Sequence, residues 1–75
     1  MRKYKNLDGN SGIFAWEEGN DYIIVQFSDF EKYLYNYIKP GKTLVEKMKQ
    51  FAVKGKGLAT FINKYVRGNY YKKLT

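Results

Sequence analysis

The residues of this chain that could contact a ligand are mainly cationic and aromatic. Its 75 residues include 14 Lys and Arg, 7 Asp and Glu, no His and no Cys, and the formal net charge is +7. Without imidazole or thiol groups the chain lacks the commonest general base and the usual zinc ligands. The carboxylates of residues 17–21 and 29–31 lie in turn-like segments, where contact with solvent accounts for them without a catalytic role. We therefore predict that the protein is not an enzyme and needs no metal or cofactor.

The cationic residues are concentrated in the second half of the chain. Residues 1–38 carry four Lys or Arg and six Asp or Glu, whereas residues 39–75 carry ten Lys or Arg and a single acid, Glu46. A solvated surface usually mixes both signs, so this imbalance is the main argument for a polyanionic partner. The alternative is that these are ordinary solvated lysines, which keep a protein in solution. The candidate phosphate contacts are Lys47, Lys54, Lys56, Lys64, Arg67, Lys72 and Lys73.

Three tyrosines with a spacing of two form a second candidate group. Tyr33, Tyr35 and Tyr37 would share one face of a strand, where exposed rings could stack on unpaired bases. The alternative is that the rings pack beneath the helices. The polar Asn36 on the opposite face favours this alternative, because Asn is a poor core residue.

The elements that must position these residues follow from the apolar periodicity. Runs rich in aromatic and β-branched residues at 13–16, 22–27 and 32–38 predict three strands, the last ended by Pro40 and Gly41. Thr43 and Glu46 have capping-box spacing and predict the start of a helix. The first helix has apolar residues at Leu44, Met48, Phe51 and Ala52, and the second at Leu58, Phe61, Ile62, Tyr65 and Val66. Between them, residues 54–57 predict a flexible turn, or alternatively a weak phosphate site built on two glycines.

These elements predict one small α+β domain over residues 1–75. A three-stranded antiparallel β-meander, residues 12–38, is followed by two short α-helices, residues 43–67, packed on one face. We expect a loosely ordered arm at 1–11, with a turn at 8–11, and a basic aromatic tail at 69–75. No apolar run approaches the roughly 20 residues of a membrane span, so we expect a cytoplasmic protein that does not enter membranes.

The order of several short motifs resembles the KTSC domain family. The similarity covers roughly residues 13–74 and rests on Tyr33-Leu34-Tyr35, on Ile38 and Pro40, and on Phe61 with Val66-Arg67-Gly68-Asn69-Tyr70. Lys39 separates the strand end from the proline, and the residues at 54–57 replace the family's serine before the glycine. That family occurs at the C-terminus of some lysyl-tRNA synthetases and as small stand-alone bacterial or phage proteins. The resemblance therefore implies an RNA ligand.

The sequence thus predicts a small nucleic-acid-binding module, with RNA preferred to DNA. The lysines named above and Arg67 would contact phosphates, and Tyr33 and Tyr35 would stack on bases. The alternative is a protein-interaction accessory module of phage or mobile-element origin that binds an acidic protein, because a cationic surface would serve equally well there.

Overall fold

The computed structural model describes residues 1–7, 9 and 11–75, which form an antiparallel sheet with helices on one face. The strands are β1 Arg2–Lys3, β2 Ile13–Glu18, β3 Tyr22–Phe27, β4 Lys32–Asn36 and β5 Lys72–Lys73. The helices are α1 Lys42–Lys54 and α2 Leu58–Phe61, and α2 continues as a π-helical segment, Ile62–Val66. The strands neighbour one another in the order β1-β2-β3-β4-β5, and all four pairs are antiparallel.

The predicted α+β class with an antiparallel sheet and two helices is confirmed, but the prediction of three strands is wrong. Two-residue strands from the two ends of the chain extend the meander to five. Neither end has a strand-like pattern, because Arg2–Lys3 and Lys72–Lys73 are exposed and charged. They pair because the edges of β2 and β4 offer free backbone groups, which an edge strand satisfies.

The N-terminal segment, predicted as a loose arm, is held to both layers of the fold. The backbone N–H of Tyr4 donates to the carbonyl of Phe14, and its buried hydroxyl accepts a hydrogen bond from the N–H of Leu58 at 3.3 Å. The N–H of Leu7 donates to the carbonyl of Gly55 at 2.8 Å. The turn predicted at 8–11 includes residues 8 and 10, which lie outside the described residues.

Strand register decides which side chains of the sheet face the helices. Val25 pairs with Trp16 on one side and Tyr33 on the other, and Ile23 pairs with Tyr35. Directly paired residues share a sheet face, and these five contact the buried helical residues. The core contains, from the helical layer, Val45, Met48, Ala52, Leu58, Ile62 and Val66. The described helices all pack on this face of the sheet, and we call the opposite face the open face.

Local sequence patterns predicted the ends of the helices correctly but not the start of α1. Gly55 ends α1 in the left-handed conformation, with φ 78°, and its N–H bonds the carbonyls of Phe51 and Ala52. Gly68 also has a positive φ, 75°, as expected after the second helix. The predicted capping box is wrong: α1 begins after Gly41 without a side-chain cap, because Glu46 bonds other partners.

Within the described part of the chain, no helix combines the length and apolarity that a bilayer span requires.

Candidate nucleic-acid interface

The only acid of residues 39–75 is held inside a hydrogen-bonded network. The Glu46 carboxylate accepts a hydrogen bond from the Tyr37 hydroxyl at 2.7 Å and lies 3.0 Å from the Lys49 ammonium. Lys49 also donates to the carbonyls of Gly19 and Asn20, at 2.7 and 3.1 Å. These contacts tie α1 to the turn between β2 and β3. The hydrogen bonds from Tyr37 and Lys49 lower the pKa of Glu46. Its carboxylate therefore stays ionised and bonded to these two partners.

Several predicted phosphate contacts remain without an acidic partner. Lys47, Lys64 and Arg67 are exposed on the helical layer and form no ion pair with any residue that the structure describes. Lys54 follows Lys47 by seven residues, so the two lie on one face of α1, about 10 Å apart along its axis. One face of α1 therefore carries two cations, Lys47 and Lys54, that form no ion pair with a described residue.

The break between the helices is a tight turn that includes two left-handed glycines. Gly55 is buried between the exposed Lys54 and Lys56, and Gly55 and Gly57 are both left-handed, with φ 78° and 86°. Lys54 borders a shallow surface hollow that also includes Glu18 and Glu46, both of which engage other cations. The loop is thus a tight connection that exposes two lysine side chains.

The two lysines of β5 lie on different faces of the sheet. Lys72 pairs with Leu34 and is exposed on the open face, whereas Lys73 pairs with Tyr33 on the helix-covered face. Lys73 forms an ion pair with Glu31 at 2.5 Å, and this hydrogen bond raises the pKa of Lys73. The two lysines therefore do not act as one patch, and Lys73 is already paired.

The two predicted stacking tyrosines have different environments. Tyr35 is buried in the core with 3% of its surface exposed, and this burial raises its pKa well above the usual value. Its ring has no free face for a base, so Tyr35 is a packing residue, as the alternative interpretation of the tyrosine row expects. Tyr33 is half-buried, and its ring centroid lies 4.7 Å from that of Tyr70 and 5.6 Å from that of Phe27.

A groove between the two helices combines aromatic rings with Lys47, a cation that forms no ion pair with a described residue. We call it the helix groove; it has a volume of about 360 Å³ and is lined by Thr43, Leu44, Lys47, Phe51, Phe61 and Tyr65. The Phe51 and Phe61 rings are 5.2 Å apart and the Phe61 and Tyr65 rings 5.1 Å apart. Sequence analysis included Lys47 but missed the rings, because their helical spacing is equally typical of a core stripe. Spacing along the chain carries no signal that distinguishes a groove lining from a core stripe.

Comparison with known proteins adds no evidence for function to the geometry of this site. No protein-family model, curated protein or solved structure matches the chain. The resemblance to the KTSC domain therefore stays a prediction.

Proposed function

We propose that this protein binds nucleic acid, with RNA preferred to DNA, through the cationic side of its helical layer. The observation that carries the proposal is the distribution of ion pairs. Lys47, Lys64 and Arg67 have no acidic partner among the described residues, although Glu46 lies on the same helix as Lys47. Cations that a fold leaves uncompensated are available to phosphates, which supply most of the affinity in such complexes.

The positions of the acids support the same proposal. Glu18 pairs with Arg2, Glu31 with Lys73 and Glu46 with Lys49, so these three acids lie against cations outside the groups just named. The preference for RNA is supported by the resemblance to the KTSC domain, which accompanies some lysyl-tRNA synthetases.

The test is binding of a fluorescein-labelled single-stranded RNA, measured by fluorescence anisotropy in a salt series. If Lys47, Lys54, Lys64 and Arg67 each neutralise one phosphate, affinity falls about 50-fold between about 50 and 200 mM salt, because each contact contributes about −0.7 to the log–log slope. The double variant Lys47→Gln/Lys64→Gln should lower the steepness of that slope by about half.

The matched control is Lys32→Gln/Lys72→Gln. It removes the same amount of charge from strand residues of the open face and should leave the slope close to that of the unmodified protein. Failure to bind RNA at low salt would overturn the proposal. Displacement of the RNA by poly-glutamate at an equal charge concentration would instead favour an acidic protein as the partner.

A further inference from the structure

The aromatic row in the helix groove ends in a ring that faces solvent. Phe51 and Phe61 are half-buried against the core, whereas Tyr65 is 59% exposed. Successive rings in the row are tilted by 40° and 42° at centroid distances of 5.2 and 5.1 Å. These are distances at which aromatic rings attract one another. The exposed end of such a row can take one more planar ring.

The surroundings of Tyr65 suit a ligand that is flat and anionic at once. Leu44 and Phe51 form an apolar wall, and Lys47 stands one turn before Phe51 on the same face of α1. The groove, at about 360 Å³, lies at the lower end of the range of about 300 to 1,000 Å³ for small-ligand pockets. It has room for one or two heterocycles, and Lys47 can meet the phosphate that follows them.

The backbone that carries Tyr65 is unusual in the same place. The π-helical segment Ile62–Val66 keeps Ile62 and Val66 buried while Tyr65 faces outward. Such widened turns are rare and are found often at functional sites. This is a second observation, independent of the rings, that points to the groove.

Two other ring clusters lack this combination. The Phe14 and Phe30 rings contact each other at 5.6 Å, but Phe30 lies between the acids Asp29 and Glu31. The ring of Tyr33 lies 5.8 Å from the Lys73 ammonium, which is already paired with Glu31. Of these three ring clusters, only the helix groove is lined by a cation that has no ion pair with a described residue.

We infer that the helix groove binds unpaired nucleobases, with one base stacked on Tyr65 and its phosphate on Lys47, so that the ligand is single-stranded. The inference rests on the proposed function. Bases in a duplex are stacked on their neighbours and present only their edges, whereas a single strand offers free base faces to aromatic side chains.

The test compares three probes on the full chain: a single-stranded uridine oligonucleotide, an RNA duplex and inorganic polyphosphate, which has no bases. Tyr65→Ala should weaken binding of the uridine oligonucleotide by about 5- to 150-fold and leave binding of polyphosphate unchanged. Tyr65→Phe should bind like the unmodified protein, because stacking needs the ring and not the hydroxyl. Tyr71→Ala is the matched control, since Tyr71 is 49% exposed and lies outside the groove.

The outcomes separate this inference from the proposed function. If the protein binds the oligonucleotide but Tyr65→Ala binds it equally well, the hypothesis of base stacking in the groove is wrong. The proposal that Lys47, Lys54, Lys64 and Arg67 contact phosphates is then still supported. Equal loss of oligonucleotide and polyphosphate binding in Tyr65→Ala would also overturn stacking, because polyphosphate has no bases and the effect of Tyr65 would then not depend on them. If the protein binds neither the oligonucleotide nor the RNA duplex at low salt, the proposed function itself fails.

Discussion

Replacement of Gly55 by alanine tests whether the N-terminal segment is part of the folded unit. Gly55 is buried with φ 78°, and its carbonyl accepts the hydrogen bond from Leu7. A Cβ atom at this position would lie 2.5 Å from the Cβ atom of Lys5. Because a Cβ atom is fixed to the backbone, Lys5 cannot relieve the contact by changing rotamer, and the segment has to shift.

Two costs add in Gly55→Ala. A left-handed conformation costs an L-residue about 1–2 kcal/mol, and overpacking costs about 1–3 kcal/mol. The sum of about 2–5 kcal/mol is a large part of the roughly 4–11 kcal/mol expected for 75 residues. Gly68→Ala is the matched control, because Gly68 has φ 75° but a Cβ atom there would meet no described atom within 4 Å outside its chain neighbours. It should cost only about 1–2 kcal/mol.

The measurement is urea unfolding of the unmodified chain, both alanine variants, Lys5→Gly alone and Gly55→Ala/Lys5→Gly. Lys5→Gly removes the atom that the new methyl group would meet, so in that background the cost of Gly55→Ala should fall to the cost of Gly68→Ala. Equal free-energy losses for Gly55→Ala and Gly68→Ala in the unmodified background would refute docking of residues 2–7 against the end of α1.

Two further predictions concern pH. Glu46 has a pKa below its usual 4.5 because of its hydrogen bonds from Tyr37 and Lys49, so its stabilising contribution is present above pH 4.5 and is lost as the pH falls through its lowered pKa. In urea unfolding, the stability difference between the unmodified protein and Glu46→Gln should therefore shrink in acid. A difference that does not change with pH would contradict the hydrogen-bonded network around Glu46. The control is Glu17→Gln, at an exposed strand position. Tyr35 has a raised pKa because it is buried, so the fold loses stability as the pH rises above 10.0, and Tyr35→Phe should reduce this alkaline loss. An unchanged alkaline unfolding profile for Tyr35→Phe would count against the buried position of that ring.

The central strands, both helices and the charge imbalance could be predicted from the sequence. Alternation along 22–27 places Ile23 and Val25 on one face, and the structure buries both. Helical spacing likewise predicts Met48 and Ala52 in the first helix and Leu58 in the second as core residues. All three are fully or almost fully buried. Such periods are local consequences of burying one side of a strand or helix, so neighbouring residues are enough to reveal them.

The candidate site could be predicted only in part. The surplus of cations after residue 38 is visible in the composition, and Lys47 and Lys64 were singled out from it. The sequence placed the stacking rings on β4, whereas Tyr35 is in the core and the exposed ring of the groove is Tyr65. A row of rings drawn from two helices depends on how those helices pack, which no local pattern records.

The amino-acid sequence by itself determined the sign of the charge, the three central strands, the positions of the two helices and their apolar faces, because each depends on residue type or on short-range spacing. Only the tertiary structure decided that the chain ends become edge strands, that Glu46 bonds Tyr37 and Lys49 instead of capping a helix, and that Lys47 shares a groove with Tyr65. These features join residues far apart in the chain, and their partners are chosen by packing and by the need to satisfy backbone and charged groups.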